Sequence, residues 1–238
     1  MGVKPLRSAT RVLAVLEAVA AHQPVGLTAV TRLLDEDKSA VQRALATLAE
    51  DGWIRPAAGD PPRWELTTRT LVMAAQATSR VGLRQQARPV MEALRDRTDE
   101  SVLLAVPDPP RVVTLDVVES RQLVRAAPHV GMVLPNIGSA ASQALFAHLP
   151  DDELTEYLGG PPDAATRESL AAVRERGWAV NHGDVTESAS GIAAPILGPG
   201  GRAIAAIAVS APSARLPRAH HAAVGKLVAE GAAHLSIT

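Results

Sequence analysis

The sequence predicts an α+β chain in two parts. A small head of three helices and a β-hairpin is followed, after a helical connection, by a larger domain of mostly antiparallel sheet with helices on it. Three observations predict this. Apolar residues recur at helical spacing through about residue 51. Turn residues flanked by two short strand-like runs come next, and helix and strand patterns then alternate to the end of the chain. The 238 residues suffice for two domains, and 47% are hydrophobic while only 2% are aromatic, so the cores are expected to be built from Ala, Val and Leu. The net charge of -1 supplies no global field for nucleic acid, so any such binding must come from local placement of charge. Cysteine is absent, which excludes a disulfide framework, thiolate metal sites and a cysteine nucleophile. There are no internal repeats.

The head occupies residues 1–68. Helix one is expected over 8–21, with Val12, Leu13, Leu16, Val19 and Ala20 at core spacing. The basic residues before that run imitate a signal peptide, but Glu17 interrupts it and a helix-turn pattern follows at once, so a core helix is the better reading. A short second helix starts at Thr28 with Val30, Leu33 and Leu34 inward, and Asp35-Glu-Asp37 makes the turn. The third helix runs from Ser39, its expected cap, to Asp51, and Gly52 suits the position after its end. Val41, Ala44, Leu45 and Leu48 share its inner face, leaving Lys38, Gln42 and Arg43 outward near its start. Trp53–Arg55 and Arg63–Leu66 are expected strands, joined by the turn chemistry of residues 57–62. Three helices and a hairpin in this order make a winged helix-turn-helix.

A linker helix is expected over 69–84, with Leu71, Val72 and Ala75 on one side, and the second domain spans 85–238. A helix carrying Val90, Met91 and Leu94 runs from Leu83 to Arg97. Strands are expected at 102–106, 112–118 and 122–127, and again at 192–197 and 203–210. Helices are expected at 139–149, 166–176 with Gly177 after its end, and 217–235 with Val224, Leu227, Val228, Gly231 and Leu235 along one face.

The chemistry follows from those placements. Lys38, Ser39, Gln42 and Arg43 stand where a recognition helix needs donors for base edges and phosphates. Arg55 and Arg63 lie on the wing strands, and Arg7 and Arg11 at the opening of helix one. Each alone reads equally well as a solvated surface charge; the set, framed by a helix-turn-helix and wing, points to double-stranded DNA. The acidic turn opposes that reading, although Asp37 is placed to act on the start of helix three. In the second domain, Ser139 caps a helix whose first N–H groups belong to Ala140, Ala141 and Ser142. Asn181 and Asp184 are expected in a loop, and strand alternation puts Ile204, Ala206, Ala208 and Ser210 on one face. No catalytic residue is proposed, since no nucleophile–base pair can be assembled. No metal or other cofactor is expected either, because the adjacent His220 and His221 point about 100° apart on a helix. No apolar run reaches the ~18 residues of a membrane span. The absence of cysteine fits a cytoplasmic protein, and that location is the expectation.

These motifs resemble the IclR-type transcription regulators from end to end. Ser8–Glu17 is similar to the family's first helix, Lys38–Leu48 followed by Gly52 to its recognition helix, and Trp64–Thr67 to its second wing strand. Gly177-Trp-Ala-Val180, Asp184 and Ile192–Ile196 resemble the signature of its effector domain, and Ala205–Pro212 the strand that closes it. The resemblance implies a winged helix, a linker helix used in dimerisation and a GAF-like effector-binding domain. It also implies a homodimer or tetramer and a small organic effector, often a carboxylate or aromatic compound. Pocket positions carried over are Ala140, Ala141, Asn181, Asp184, Ala189, Gly191, Ala208 and Ser210. The chain departs from the pattern in its acidic turn, in Ala40, in Ser142-Gln143 and in alanines at pocket positions, the last favouring a larger or less polar ligand. The expectation is a sequence-specific regulator, a repressor in preference to an activator, reading a palindromic operator. The rival is a ligand-sensing scaffold that no longer binds DNA, since residues 1–68 carry as many acidic as basic side chains.

Overall fold

A computed structural model describes residues 4–58, 61–76 and 81–237. The chain divides into two compact units, 1–81 and 82–238. The first contains α1 (Arg7–His22), β1 (Val25–Gly26), α2 (Leu27–Leu34), α3 (Lys38–Glu50), β2 (Ile54–Ala57), β3 (Arg63–Leu66) and α4 (Arg69–Gln76). Its core gathers Val15, Val19, Val30, Val41, Leu45, Leu48 and Ile54. The core face of α1 is centred on Val15 and Val19; Leu13, expected inward, is exposed, as is Leu33 on α2. Both sit at the edge of a 3.6-residue stripe, where one residue's rotation of the helix decides inside from outside. α3 ends in a Schellman motif: Trp53 N–H donates to Leu48 O and Gly52 N–H to Ala49 O, with Gly52 at φ 74. The sheet order is β1-β3-β2. The two-residue β1, which pairs with Trp64 and Arg63, was not foreseen because so short a strand has no readable period. Residues 77–80 and the loop tip at 59–60 lie outside the described residues, and with them the expected continuity of the linker helix through 69–84 and the side chain of Ala75.

The second unit contains α5 (Val81–Thr98), β4 (Ser101–Asp108), β5 (Arg111–Val118), β6 (Val133–Leu134), α6 (Ala140–Phe146), α7 (Asp151–Leu158), α8 (Ala164–Arg176), β7 (Ala179–His182), β8 (Ala189–Leu197), β9 (Ala203–Pro212) and α9 (His221–Leu235). Its antiparallel sheet has the order β6-β5-β4-β9-β8-β7. Strand alternation gives it two apolar faces. Leu104, Ile192, Ile207 and Val209 pack with Met91 and Leu94 of α5 and Val228 of α9. Leu103, Ala193, Ala206 and Ala208 pack with Leu145 and Phe146 of α6, Tyr157 of α7 and Leu170 of α8.

Three expectations change. Residues 122–127 form no strand: Leu123 is 94% exposed, and the edge of β5 is taken instead by β6. Side chains hold this segment, with Ser101 Oγ donating to Ala126 O at 2.7 Å and Arg215 Nη1 to Val124 O at 2.9 Å. Asn181 lies on strand β7 and not in a loop. Ile204 leaves the face of Ala206 and Ala208, because the register jumps from Ile196↔Ala205 to Leu197↔Ala203 and this bulge turns Ile204 to the other side. α7 was unforeseen, although Pro150 followed by Asp151, Asp152 and Glu153 is a helix-start signal. Among the described residues no helix is long and apolar enough to cross a membrane.

Candidate nucleic-acid interface and ligand cavity

The start of α3 is built by Asp37, which displaces Ser39 as the cap: its Oδ2 accepts from Ala40 N–H at 3.0 Å. Ser39 donates to the same oxygen at 2.5 Å, and Arg43 Nη1 donates to Ser39 Oγ at 3.2 Å. The Ser39 hydroxyl and then the Ala40 N–H hold the Asp37 carboxyl below its usual range. Asp37 beats Ser39 because it precedes the first helical residue, where its carboxylate meets the free N–H groups and the positive end of the helix dipole. Lys38, Ser39, Gln42 and Arg43 are all exposed on one end of α3, while Ala40, Val41, Ala44 and Leu45 are buried.

The acidic turn is largely occupied. Glu36 takes Arg11 at 2.8 Å, Asp37 caps α3, and Asp35 adopts φ 49 to end α2. Arg55 pairs with Glu65 directly across the hairpin at 2.8 Å. Arg11 and Arg55 are therefore charges already balanced, whereas Arg7, Lys38 and Arg63 make no ion pair among the described residues. Gln42 and Arg63 both line a groove of about 740 Å³, as does Thr28, which the sequence marked only as a helix start.

In the second unit a cavity of about 270 Å³ lies between the sheet and α6. Of the positions carried over to the pocket, Ala140, Ala141, Asn181, Ala189, Gly191, Ala208 and Ser210 line it. Asp184 does not: its Oδ2 turns back to accept His182 N–H at 3.1 Å. The Asp184 N–H in turn donates to Asn181 Oδ1 at 3.0 Å. That bond sets the amide orientation, so the free end of Asn181 is Nδ2, which has no partner among the described residues. Asn181 is 8% exposed. Leu103, Pro128 and Thr186 also line it and were missed, because they come from three segments far apart in sequence. The lining residues include no charged side chain. Ser139 caps α6 by accepting from Ser142 N–H, so that N–H is committed within the protein. α6 packs on β8 through small residues, and a Cβ at Gly191 would meet Ala140 Cβ at an ordinary contact distance of 3.8 Å.

Beside the cavity, Ser190 Oγ lies 3.0 Å from His182 Nδ1 and donates to Ser213 Oγ at 3.0 Å. His182 meets the ring of His221 edge-on, with centroids 5.2 Å apart. His221, 8% exposed, shares its Nε2 proton with Leu216 O at 3.1 Å.

Comparison with known proteins gives matches to both parts of the chain. The profile described as "IclR helix-turn-helix domain" matches residues 8–57, and "Bacterial transcriptional regulator IclR C-terminal" matches residues 75–237. The HTH-type transcriptional regulator BhcR of Paracoccus denitrificans is 29% identical over 97% of this chain and 86% of its own length. The HTH-type transcriptional regulator KdgR of Escherichia coli is 25% identical over 87% of this chain and 83% of its own. The crystal structure of an IclR homologue from Microbacterium hydrocarbonoxydans, complexed with 4-hydroxybenzoate, superposes with a TM-score of 0.80. It covers 96% of this chain and 97% of that one at 24% identity, a likeness of fold.

Proposed function

The chain belongs to the IclR family of bacterial transcriptional regulators, DNA-binding proteins with a C-terminal effector domain, and on that footing we propose what this member senses and how it responds. It is a cytoplasmic repressor acting as a dimer or tetramer on a palindromic operator, with half-sites ~34 Å apart or a multiple of that. Its effector is a compact, mainly apolar molecule of single-ring size, anchored by an oxygen acceptor on Asn181 Nδ2. The observation that carries this reading is the cavity itself: apolar walls, no charged side chain among its lining, and one buried amide with free donors. Lys38, Gln42, Arg43 and Arg63 are the DNA contacts; Arg11 and Arg55 contribute less because carboxylates already hold them.

Fluorescence anisotropy on fragments of the promoters flanking its gene, titrated with salt, tests the reading. One fragment is expected to bind at least ~10³-fold more tightly than unrelated duplex. Arg43→Ala is expected to weaken that complex by about 1–3 kcal/mol. Equal, weak binding to every fragment would remove the specific-reader claim. In thermal-shift assays, 4-hydroxybenzoate and acetophenone, which offer acceptor oxygens, are expected to raise the melting temperature, and benzylamine to leave it unchanged.

A further inference from the structure

We propose that Arg69 is a positioning residue: it clamps the root of α4 to the end of the recognition helix and so sets the distance between the two DNA-reading heads of a dimer. The proposal rests on the dimeric reading above.

The clamp is visible as a knot between two short segments, 51–53 after α3 and 67–69 before α4. The Arg69 guanidinium lies 4.6 Å over the centroid of the Trp53 ring, a cation–π geometry. Its Nη1 donates to Asp51 O, one of the carbonyls left over at the end of α3. Thr67 completes the knot. Its N–H donates to Trp53 O at 3.0 Å, its hydroxyl donates to Gly52 O at 2.7 Å, and the same hydroxyl accepts from Arg69 N–H at 3.2 Å. Gly52, at φ 74, lets the chain reverse sharply enough for these groups to meet. One backbone bond, two side-chain bonds and one ring contact cross between the segments, so they restrict both tilt and rotation of α4 about its first turn.

That restriction matters because α4 continues in sequence toward the second unit. Over the eight residues Arg69–Gln76 a helix is about 12 Å long. A tilt of about 20° at its root moves its far end by roughly 4 Å, more than the 3.4 Å rise of one base pair. A loose root would let a dimer accept half-sites at several spacings, whereas a clamped root holds it to one. Arg69 itself is exposed and its guanidinium is engaged by Trp53 and Asp51, which is why a role in geometry is assigned to it and not a contact with DNA.

The test uses full-length protein and duplexes selected by the wild type from a random pool. The preferred palindrome is compared with versions whose half-sites are moved apart or together by one and two base pairs, and with a single half-site. Wild type is expected to lose at least 10-fold in affinity on respacing. Arg69→Ala is expected to keep single-half-site affinity within about twofold while losing less than threefold on respacing. Trp53→Phe, which keeps an aromatic face, is expected to behave as wild type. If Arg69→Ala keeps full spacing discrimination, or loses half-site affinity as much as palindrome affinity, the proposal is overturned. If wild type binds the palindrome no more tightly than a single half-site, the dimeric premise fails, and the proposal with it; if it prefers the palindrome but shows no spacing preference, the proposal alone is overturned.

Discussion

His221 shows how a single residue ties the second unit to pH. Burial is the main reason its pKa lies below the ordinary 6.5, with the charges of His182, Arg218 and His220 adding to it and the Leu216 carbonyl opposing. The folded state therefore binds fewer protons than the unfolded chain as the solution becomes acidic. The stability contributed is complete above about pH 6.5 and is lost as pH falls below it. His148, also held down chiefly by burial, acts in the same window. Urea unfolding at pH 7.5 and 5.5 is expected to show a loss of stability on acidification that His221→Gln reduces without abolishing. An unchanged pH slope in the variant would mean that His221 does not titrate in that range. The sequence alone placed His220 and His221 as neighbours on a helix; that His221 points inward depends on the edge-on contact with His182, which no spacing reveals.

At the scale of elements, α9 is seated by a glycine. A Cβ built on Gly225 comes within 3.0 Å of Cδ2, Cε2 and Cε3 of the Trp178 indole, so the helix packs on that ring only where it has no side chain. Gly225→Ala is expected to destabilise by about 1–3 kcal/mol through overpacking, a loss that the better helix propensity of alanine, at most ~1 kcal/mol, does not offset. Gly82, which nothing crowds within 4 Å, is the control: Gly82→Ala is expected to be neutral or stabilising in the same denaturant titration. Helices were legible from sequence because their period repeats over many residues, as Val41, Ala44, Leu45 and Leu48 do on α3. Two-residue strands such as β1 and β6 have no period to read. The segment 122–127 has the composition of a strand, yet side-chain bonds from Ser101 and Arg215 occupy carbonyls that a ladder would use.

At the scale of the molecule, the two units can influence each other only if the ligand binds one DNA-competent arrangement better than another. The coupling must then be reciprocal. If 4-hydroxybenzoate weakens operator binding by some factor, saturating operator DNA is expected to weaken 4-hydroxybenzoate binding by the same factor, measurable by calorimetry with and without DNA. Asn181→Asp, which replaces donors with acceptors on the cavity wall, is expected to weaken the ligand at least 10-fold while leaving ligand-free DNA affinity unchanged. Unequal factors in the two titrations would show that the ligand acts outside this linkage.

What the sequence determined by itself was the order and type of the long elements, the outward end of α3, and the family, because periodicity, caps and motif order are local and survive without coordinates. The tertiary structure alone decided which charges are spent and which are free. Glu36 neutralises Arg11 across 25 positions, and Glu65 neutralises Arg55 through strand register. It also decided that Asn181 joins Ala140, Gly191 and Ala208 around a cavity while Asp184 turns away. Those outcomes depend on hydrogen bonds and packing between segments far apart in the chain, where a single residue of register or one turn of a side chain changes the partner.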